Sequence, residues 1–208
     1  TLHLLYSRFW NKFLNDIGAV PVSEPYRKRT SHGFILAANN EKMSKSRGNV
    51  VNPDSVVKMY GADTLRLYEM FIGPFDQHVS WDAHGIIGTR RFLERVYKLI
   101  SKSQKPISKQ IPNSKSQTEK LKRLERVLHQ TIKKVTEDIE SLRLNTAVIS
   151  LMILLNEMEI SEIGNSKFEI SCKKTFLQLL APFAPHIVEE LWHVFGEKKS
   201  IHAQPWPK

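Results

Sequence analysis

From about Ala83 to the end of the chain, apolar residues recur at three- and four-residue intervals in one segment after another. That spacing returns to one side of an α-helix every turn, whereas a half-buried strand alternates by two. Leu93, Val96, Tyr97 and Ile100 form one stripe. Leu121, Leu124, Leu128, Ile132, Val135 and Ile139 form a second, on a helix expected to start at Thr118. The stretch from about Asn145 to Met158 is apolar on most faces, which predicts a helix at the centre of a bundle. Two more helices are expected over about 168–180 and 185–195. Such faces are satisfied by packing helix on helix, so residues 83–208 predict an antiparallel helix bundle. Residues 103–117, SQKPISKQIPNSKSQ, are rich in Ser, Lys, Gln and Pro and predict a linker or loop.

Residues 1–82 have a mixed pattern. Leu2, Leu5, Phe9, Phe13 and Ile17 predict a helix, ended by Gly18 and Pro21. TSHGFILA, residues 30–37, reads as a short strand, followed by a polar loop over 38–48. Asn52-Pro53-Asp54 supplies an N-cap, a proline at the first helical position and an acid in the first turn. That helix should stop at Gly61. Asp63 is expected to cap another, running to Phe71 and closed by Gly73-Pro74. The fold class is therefore mainly α: a helix bundle over 83–208, preceded by a small α/β segment over 1–82.

With 41% apolar residues the chain can bury a core, so global disorder is excluded. The longest apolar run, Ala147 to Leu155, is broken by Ser150. It falls far short of the roughly 20 residues a membrane helix requires, so no membrane partner is expected. The single cysteine, Cys172, has no disulfide partner, and no Cys/His cluster has zinc spacing. No structural metal is expected, and Cys172 reads as packing in a reducing compartment.

The net charge is +10, and its location is informative. Residues 90–143 hold 15 Lys and Arg against 6 Asp and Glu, nearly the whole surplus. Arg91, Arg95, Lys98 and Lys102 share one helix face, opposite the apolar stripe. A concentration of one sign held outward by packing predicts contact with a polyanion, here an RNA backbone. Lys133, Lys134 and Arg143 are secondary candidates. Trp192 and Phe195 read as core rather than as stacking platforms for bases.

The strongest local signal is KMSKS, Lys42 to Ser46. Two ammonium groups, two hydroxyls and a following Gly48 lie in one loop. Such a loop can wrap a polyphosphate, with the lysines offsetting charge and the hydroxyls donating hydrogen bonds. At average residue usage the pentapeptide arises by chance in roughly one chain in ten thousand of this length.

KMSKS is also the second signature of the class I aminoacyl-tRNA synthetases, and its surroundings resemble the leucine branch of that family. The resemblance is carried by LHLLYSRFW at 2–10, KMSKSRGNVVNPDSVVKMYGADTLRLYEMFIGP at 42–74 and VSWDAHGIIGTRRFLERVYKL at 79–99. LLAPFAPHIVEELW at 179–192 is similar to the helical tRNA-binding domain shared by the leucine, isoleucine and valine enzymes. The resemblance implies that 1–82 is the end of a Rossmann-type catalytic domain and 83–208 an anticodon-binding-like bundle. It implies a cytoplasmic enzyme that activates leucine with ATP, as its Mg2+ complex, and transfers it to tRNA(Leu). In that family the second lysine of the motif, here Lys45, stabilises the developing pyrophosphate, and Lys42, Ser44 and Ser46 support it. The backbone around Gly33, Phe34 and Met43 matches the region that holds adenine, and His3 matches a histidine near the leucine pocket.

The family's first signature, HIGH, is not in this sequence; His84-Gly85-Ile86-Ile87 has its letters in the wrong order and place. Thr1 opens in mid-helix pattern, and nothing follows Pro205-Trp206-Pro207 but Lys208. The expectation is a fragment that is inactive alone and needs the remainder of its enzyme, with the HIGH half and the editing domain. Two other readings stay open on the residues: a valine, isoleucine or methionine relative, and a non-catalytic tRNA-binding module.

Overall fold

The computed structural model describes residues 2–101, 115–161 and 166–208. It divides into two compact units, 1–32 and 33–208.

The first unit is built on α1, Leu2–Asp16. The segment after it is tied back along the helix. Asn11 Nδ2 donates to the carbonyls of Val22 (2.9 Å) and Ser23 (3.0 Å), and Tyr26 Oη hydrogen-bonds Ser7 Oγ (2.7 Å). Glu24 takes both Arg8 and Lys12. The apolar stripe of α1 stays exposed: Leu2, Leu5, Phe9, Phe13 and Ile17 are all open to solvent.

The second unit begins with β1 (Ile35–Leu36), α2 (Pro53–Tyr60), α3 (Ala62–Phe71) and β2 (Val79–Ser80). The bundle helices follow: α4 (Gly85–Ser101), α5 (Lys115–Glu140), α6 (Leu144–Ile160), α7 (Lys167–Leu180) and α8 (Pro185–His193). α6 lies at the centre, as its all-round apolar pattern predicts. Ala147, Val148, Leu151, Leu154, Leu155 and Met158 are buried against α3, α4, α5 and α7. Each fully buried leucine stabilises the fold by about 1.5–3 kcal/mol relative to exposure. Cys172 and Trp192 lie in this core and Phe195 packs on its edge. Burial raises the Cys172 thiol to about 11, so it is an inert packing group.

Several sequence expectations need correction. The strand expected over 30–37 is only Ile35–Leu36, because β2 offers a partner of equal length and no more. α5 starts at Lys115, earlier than Thr118; the rest of the expected linker lies outside the described residues. Tyr97 leaves the apolar stripe of α4 and is 57% exposed, while Leu93, Val96 and Ile100 are buried. Asn52 does cap α2, its side chain accepting the Asp54 N–H at 2.9 Å. Asp63 caps nothing in α3, which starts at Ala62 after Gly61.

Asp63 instead caps α8. Its carboxylate accepts the backbone N–H of Ile187 (2.7 Å) and of His186 (3.4 Å), and meets His186 Nδ1 at 2.7 Å. Pro185 opens α8 without an N–H, and Ala184 gives no side-chain cap, so the missing acceptor comes from α3. A second buried acid closes the α5–α6 turn. Asp138, fully buried, receives Lys134, Arg143 Nε (2.8 Å) and Thr146 Oγ1 (2.6 Å). Burial alone would raise its carboxyl, but the hydrogen bonds from Lys134, Thr146 and Arg143 outweigh it and hold the group below the usual range.

Two outcomes follow from these acids. Asp63→Ala should destabilise the chain by about 1–3 kcal/mol, the cost of a lost cap with buried N–H groups left unpaired. A urea midpoint equal to wild type would refute the cap. Asp138 has a folded-state pKa depressed below its unfolded value. Its contribution is therefore present above about pH 4 and lost as pH falls through the folded value. Asp138→Asn should flatten the loss of urea stability between roughly pH 5 and 2 relative to wild type; parallel curves would show that the ion cluster contributes nothing.

Candidate functional site

The site begins where β1 and β2 pair in parallel, Ile35 opposite Val79 and Leu36 opposite Ser80. The two residues before β1 are held by the segment before β2. Gly33 N–H donates to the Phe75 carbonyl at 2.8 Å. A Cβ at position 33 would lie 1.7 Å from the Gln77 carbonyl oxygen, so this approach requires glycine. Phe34 N–H donates to His78 Nδ1 at 2.8 Å, and its carbonyl accepts the Val79 N–H at 3.1 Å. The Phe34 and His78 rings stack with centroids 5.3 Å apart and planes 9° from parallel.

Beyond β1 the chain turns tightly: Ala37 N–H donates to the Glu41 carbonyl at 2.8 Å, and Asn40 takes φ +63°. The KMSKS loop follows. Asn49 ties both ends of it, its Oδ1 accepting the Ser44 N–H at 2.8 Å and its Nδ2 donating to the Lys42 carbonyl at 3.4 Å. Lys45–Arg47 form one 3-10 turn, closed by Gly48 at φ +65°. The Ser44 and Ser46 hydroxyls hydrogen-bond each other at 2.8 Å. Met43 turns inward and lines a cavity of about 110 Å³ with Ile35, Val56, Leu65 and Trp81. Its side chain therefore anchors the loop to the body.

Lys42 and Lys45 are exposed. Lys42 Nζ stands 5.2 Å from the Phe34 ring centroid, close enough for a cation–π contact. The described residues include no ion pair for either lysine; the acid next to the motif, Glu41, takes Arg47 instead at 3.2 Å. The loop thus presents two uncompensated ammonium groups and a linked pair of hydroxyls, which suits a polyphosphate. Among the described residues no three His, Cys, Asp or Glu side chains converge as a metal site.

The remaining expected residues are dispersed. His3 is exposed on α1, in the 1–32 unit. Arg91 and Lys98 are exposed on α4. Arg95 on the same face turns to α6, its guanidinium reaching Glu159 Oε2 at 2.5 Å and Asn156 Oδ1 at 2.5 Å. Lys102 lies outside the described residues. Sequence reasoning missed three features. His78 acts across 44 residues through tertiary geometry that no local pattern encodes, and Asn49 acts within its own loop on Lys42 and Ser44. Arg27, Lys28 and Arg29 are a run of consecutive exposed cations, visible as a charge run in the sequence. A groove of about 640 Å³ lined by Tyr60, Arg90, Tyr97, His186 and Glu190 contains none of the KMSKS residues. No helix among the described residues is long and apolar enough to cross a membrane.

Comparison with known proteins gives this geometry a context. Residues 6–82 match the family described as tRNA synthetases class I (I, L, M and V), and residues 122–208 the anticodon-binding domain of tRNA ligase. Over 207 residues the chain is 54% identical to a leucine–tRNA ligase of Alkaliphilus oremlandii (strain OhILAs), covering 100% of this chain and 24% of that protein. A crystal structure of a ternary complex of LeuRS, tRNA and LeuAMS from Agrobacterium radiobacter K84 superposes with a TM-score of 0.82 at 33% identity. That match covers 100% of this chain and 27% of the other. A Mycobacterium tuberculosis methionyl-tRNA synthetase with bound methionyl-adenylate shares the fold, at a TM-score of 0.63 and 17% identity over 91% of this chain and 41% of the other. The chain spans about a quarter of the length of the leucine relatives it matches. Its two parts match, in order, two domains of class I tRNA synthetases, and along its whole length the chain is similar to a segment of leucyl-tRNA synthetases.

Proposed function

We propose that this chain contributes the ATP-closing loop and the tRNA-binding helices to a leucine–tRNA ligase reaction. The observation that carries the reading is the KMSKS loop, with two exposed lysines unopposed by acid among the described residues and a hydroxyl pair on a turn tied by Asn49. Similarity to a leucine enzyme along the whole chain supports it. A leucine carboxylate oxygen attacks the α-phosphorus of ATP, which arrives as its Mg2+ complex. The bond to the bridging oxygen of the β-phosphate breaks, and pyrophosphate leaves with the electron pair. Lys45 offsets the charge that develops there, and Lys42, Ser44 and Ser46 hold the phosphates. The Gly33–Phe34 and Met43 backbone flanks the adenine, and His3 lies near the leucine side chain. The leucyl group then passes to the 3′ end of tRNA(Leu).

Residues 1–82 belong in this reading to the catalytic body and 83–208 to the tRNA-binding bundle of a cytoplasmic enzyme. The HIGH half and the editing domain come from the rest of that enzyme, and the chain alone is inactive. Charge stabilisation from one side does not assemble two substrates in reactive geometry. RNA contact is assigned to α4, chiefly Arg91 and Lys98, with Lys102 beyond them and Arg95 shared with Glu159.

In a full-length enzyme carrying this chain, Lys45→Ala should slow leucine-dependent pyrophosphate exchange by roughly 100-fold or more, the scale of one preorganised donor. Leucine affinity should change little. An unchanged exchange rate would remove Lys45 from the mechanism.

For RNA, the readout is a salt titration of tRNA binding with circular dichroism as the folding control. Each phosphate neutralised contributes about 0.7–0.9 to the slope of log K against log salt. Replacing Arg91 and Lys98 together by Gln should lower that slope by about 1–2. Arg95→Gln should lower it less, because its charge is already shared with Glu159. If the double variant matches wild type, the RNA face lies elsewhere, with the Arg27–Lys28–Arg29 run the next surface to test.

A further inference from the structure

The inference concerns His78, which neither the motif nor the sequence pattern singles out, and it rests on the nucleotide reading of the KMSKS loop. Phe34 is 48% exposed, so it stays partly open beside the loop, with the Lys42 ammonium 5.2 Å from its ring centroid. Its exposed surface is aimed by its backbone, which residues 75–79 hold through three hydrogen bonds. Gly33 N–H goes to the Phe75 carbonyl, Phe34 carbonyl to the Val79 N–H, and Phe34 N–H to the His78 ring. The first two join main-chain groups only. The third depends on one side chain.

The chemistry of that bond is restrictive. A backbone N–H is a donor, so Nδ1 accepts and carries no proton. The tautomer is then set, with the ring proton on Nε2. The same imidazole lies flat on the Phe34 ring, at 5.3 Å and 9°. One side chain therefore bears on both the backbone and the ring of Phe34. Gly33 allows the close approach that makes this possible, since any side chain there would strike the Gln77 carbonyl.

We propose that His78 is a positioning residue for ATP, holding the Gly33–Phe34 segment and its ring in the orientation that receives the adenine beside the KMSKS loop. It touches no reacting atom and acts through Phe34. Asparagine at 78 carries an amide oxygen in nearly the place of imidazole Nδ1 and accepts the same hydrogen bond. Leucine fills similar volume without an acceptor. The two variants therefore separate the bond from the packing.

The test is steady-state pyrophosphate exchange by the full-length enzyme with His78→Leu, His78→Asn and, in parallel, Lys45→Ala. His78→Leu should raise KM for ATP by roughly 3- to 10-fold, the range for one hydrogen bond. KM for leucine should stay unchanged and kcat nearly so. His78→Asn should return KM for ATP most of the way to wild type. Thermal melts of each variant give the folding control; if His78→Leu fails to fold, His78→Asn must still show near-wild-type KM for ATP. A KM for ATP that is unchanged or lowered in His78→Leu, with Lys45→Ala inactive, overturns the inference alone; a lowered value would mean that the imidazole covers the site rather than shapes it. His78→Asn as impaired as His78→Leu also overturns it, since packing and not the acceptor would then matter. A fully active Lys45→Ala removes the nucleotide reading and this inference with it.

Discussion

The structure of residues 33–208 depends on burying α6. A helix apolar on nearly every side cannot stand at a surface, and here it is enclosed by α3, α4, α5 and α7. Each of these four helices offers an apolar stripe, and α6 accepts all four. Where the enclosure is incomplete, Ile149, Ile153 and Ile160 remain exposed along one side. Charged residues at the margin finish the packing: Arg95 reaches Glu159, and Arg123 reaches the buried Glu157. Cations that look free in the sequence are thus partly consumed in holding the central helix.

Much of this was legible in the amino-acid order. Helical periodicity gave the bundle, because side-chain period is a local property that tertiary packing reinforces. Asn52-Pro53 announced α2, since capping works over two or three residues. The failures share one cause. Asp63 looks like a local cap and serves a helix more than a hundred residues away. Tyr97 keeps helical spacing with Leu93 and Ile100 but falls at the edge of the stripe, where its hydroxyl favours water.

The candidate site was legible to a different degree. KMSKS is specific enough to name the loop, and its lysines are exposed with no acidic partner among the described residues. What fixes the loop was not legible. Asn49 and Met43 act in opposite ways, one by pairing backbone groups and the other by burying a flexible thioether. Neither role follows from residue type alone. The same holds for Phe34, whose orientation is set by a segment some forty residues later.

The Asp63 bond to α8 has a kinetic side. The carboxylate and the Ile187 N–H are 124 residues apart in sequence. Closing a loop of that length costs entropy that nearby contacts must first offset. α2 and α3 can cap and pack through short-range contacts, but the first turn of α8 cannot receive its acceptor until the chain between has collapsed around α6. Protection of the Ile187 amide from hydrogen exchange should therefore be acquired late in refolding, and it reports assembly of the whole bundle rather than formation of one helix.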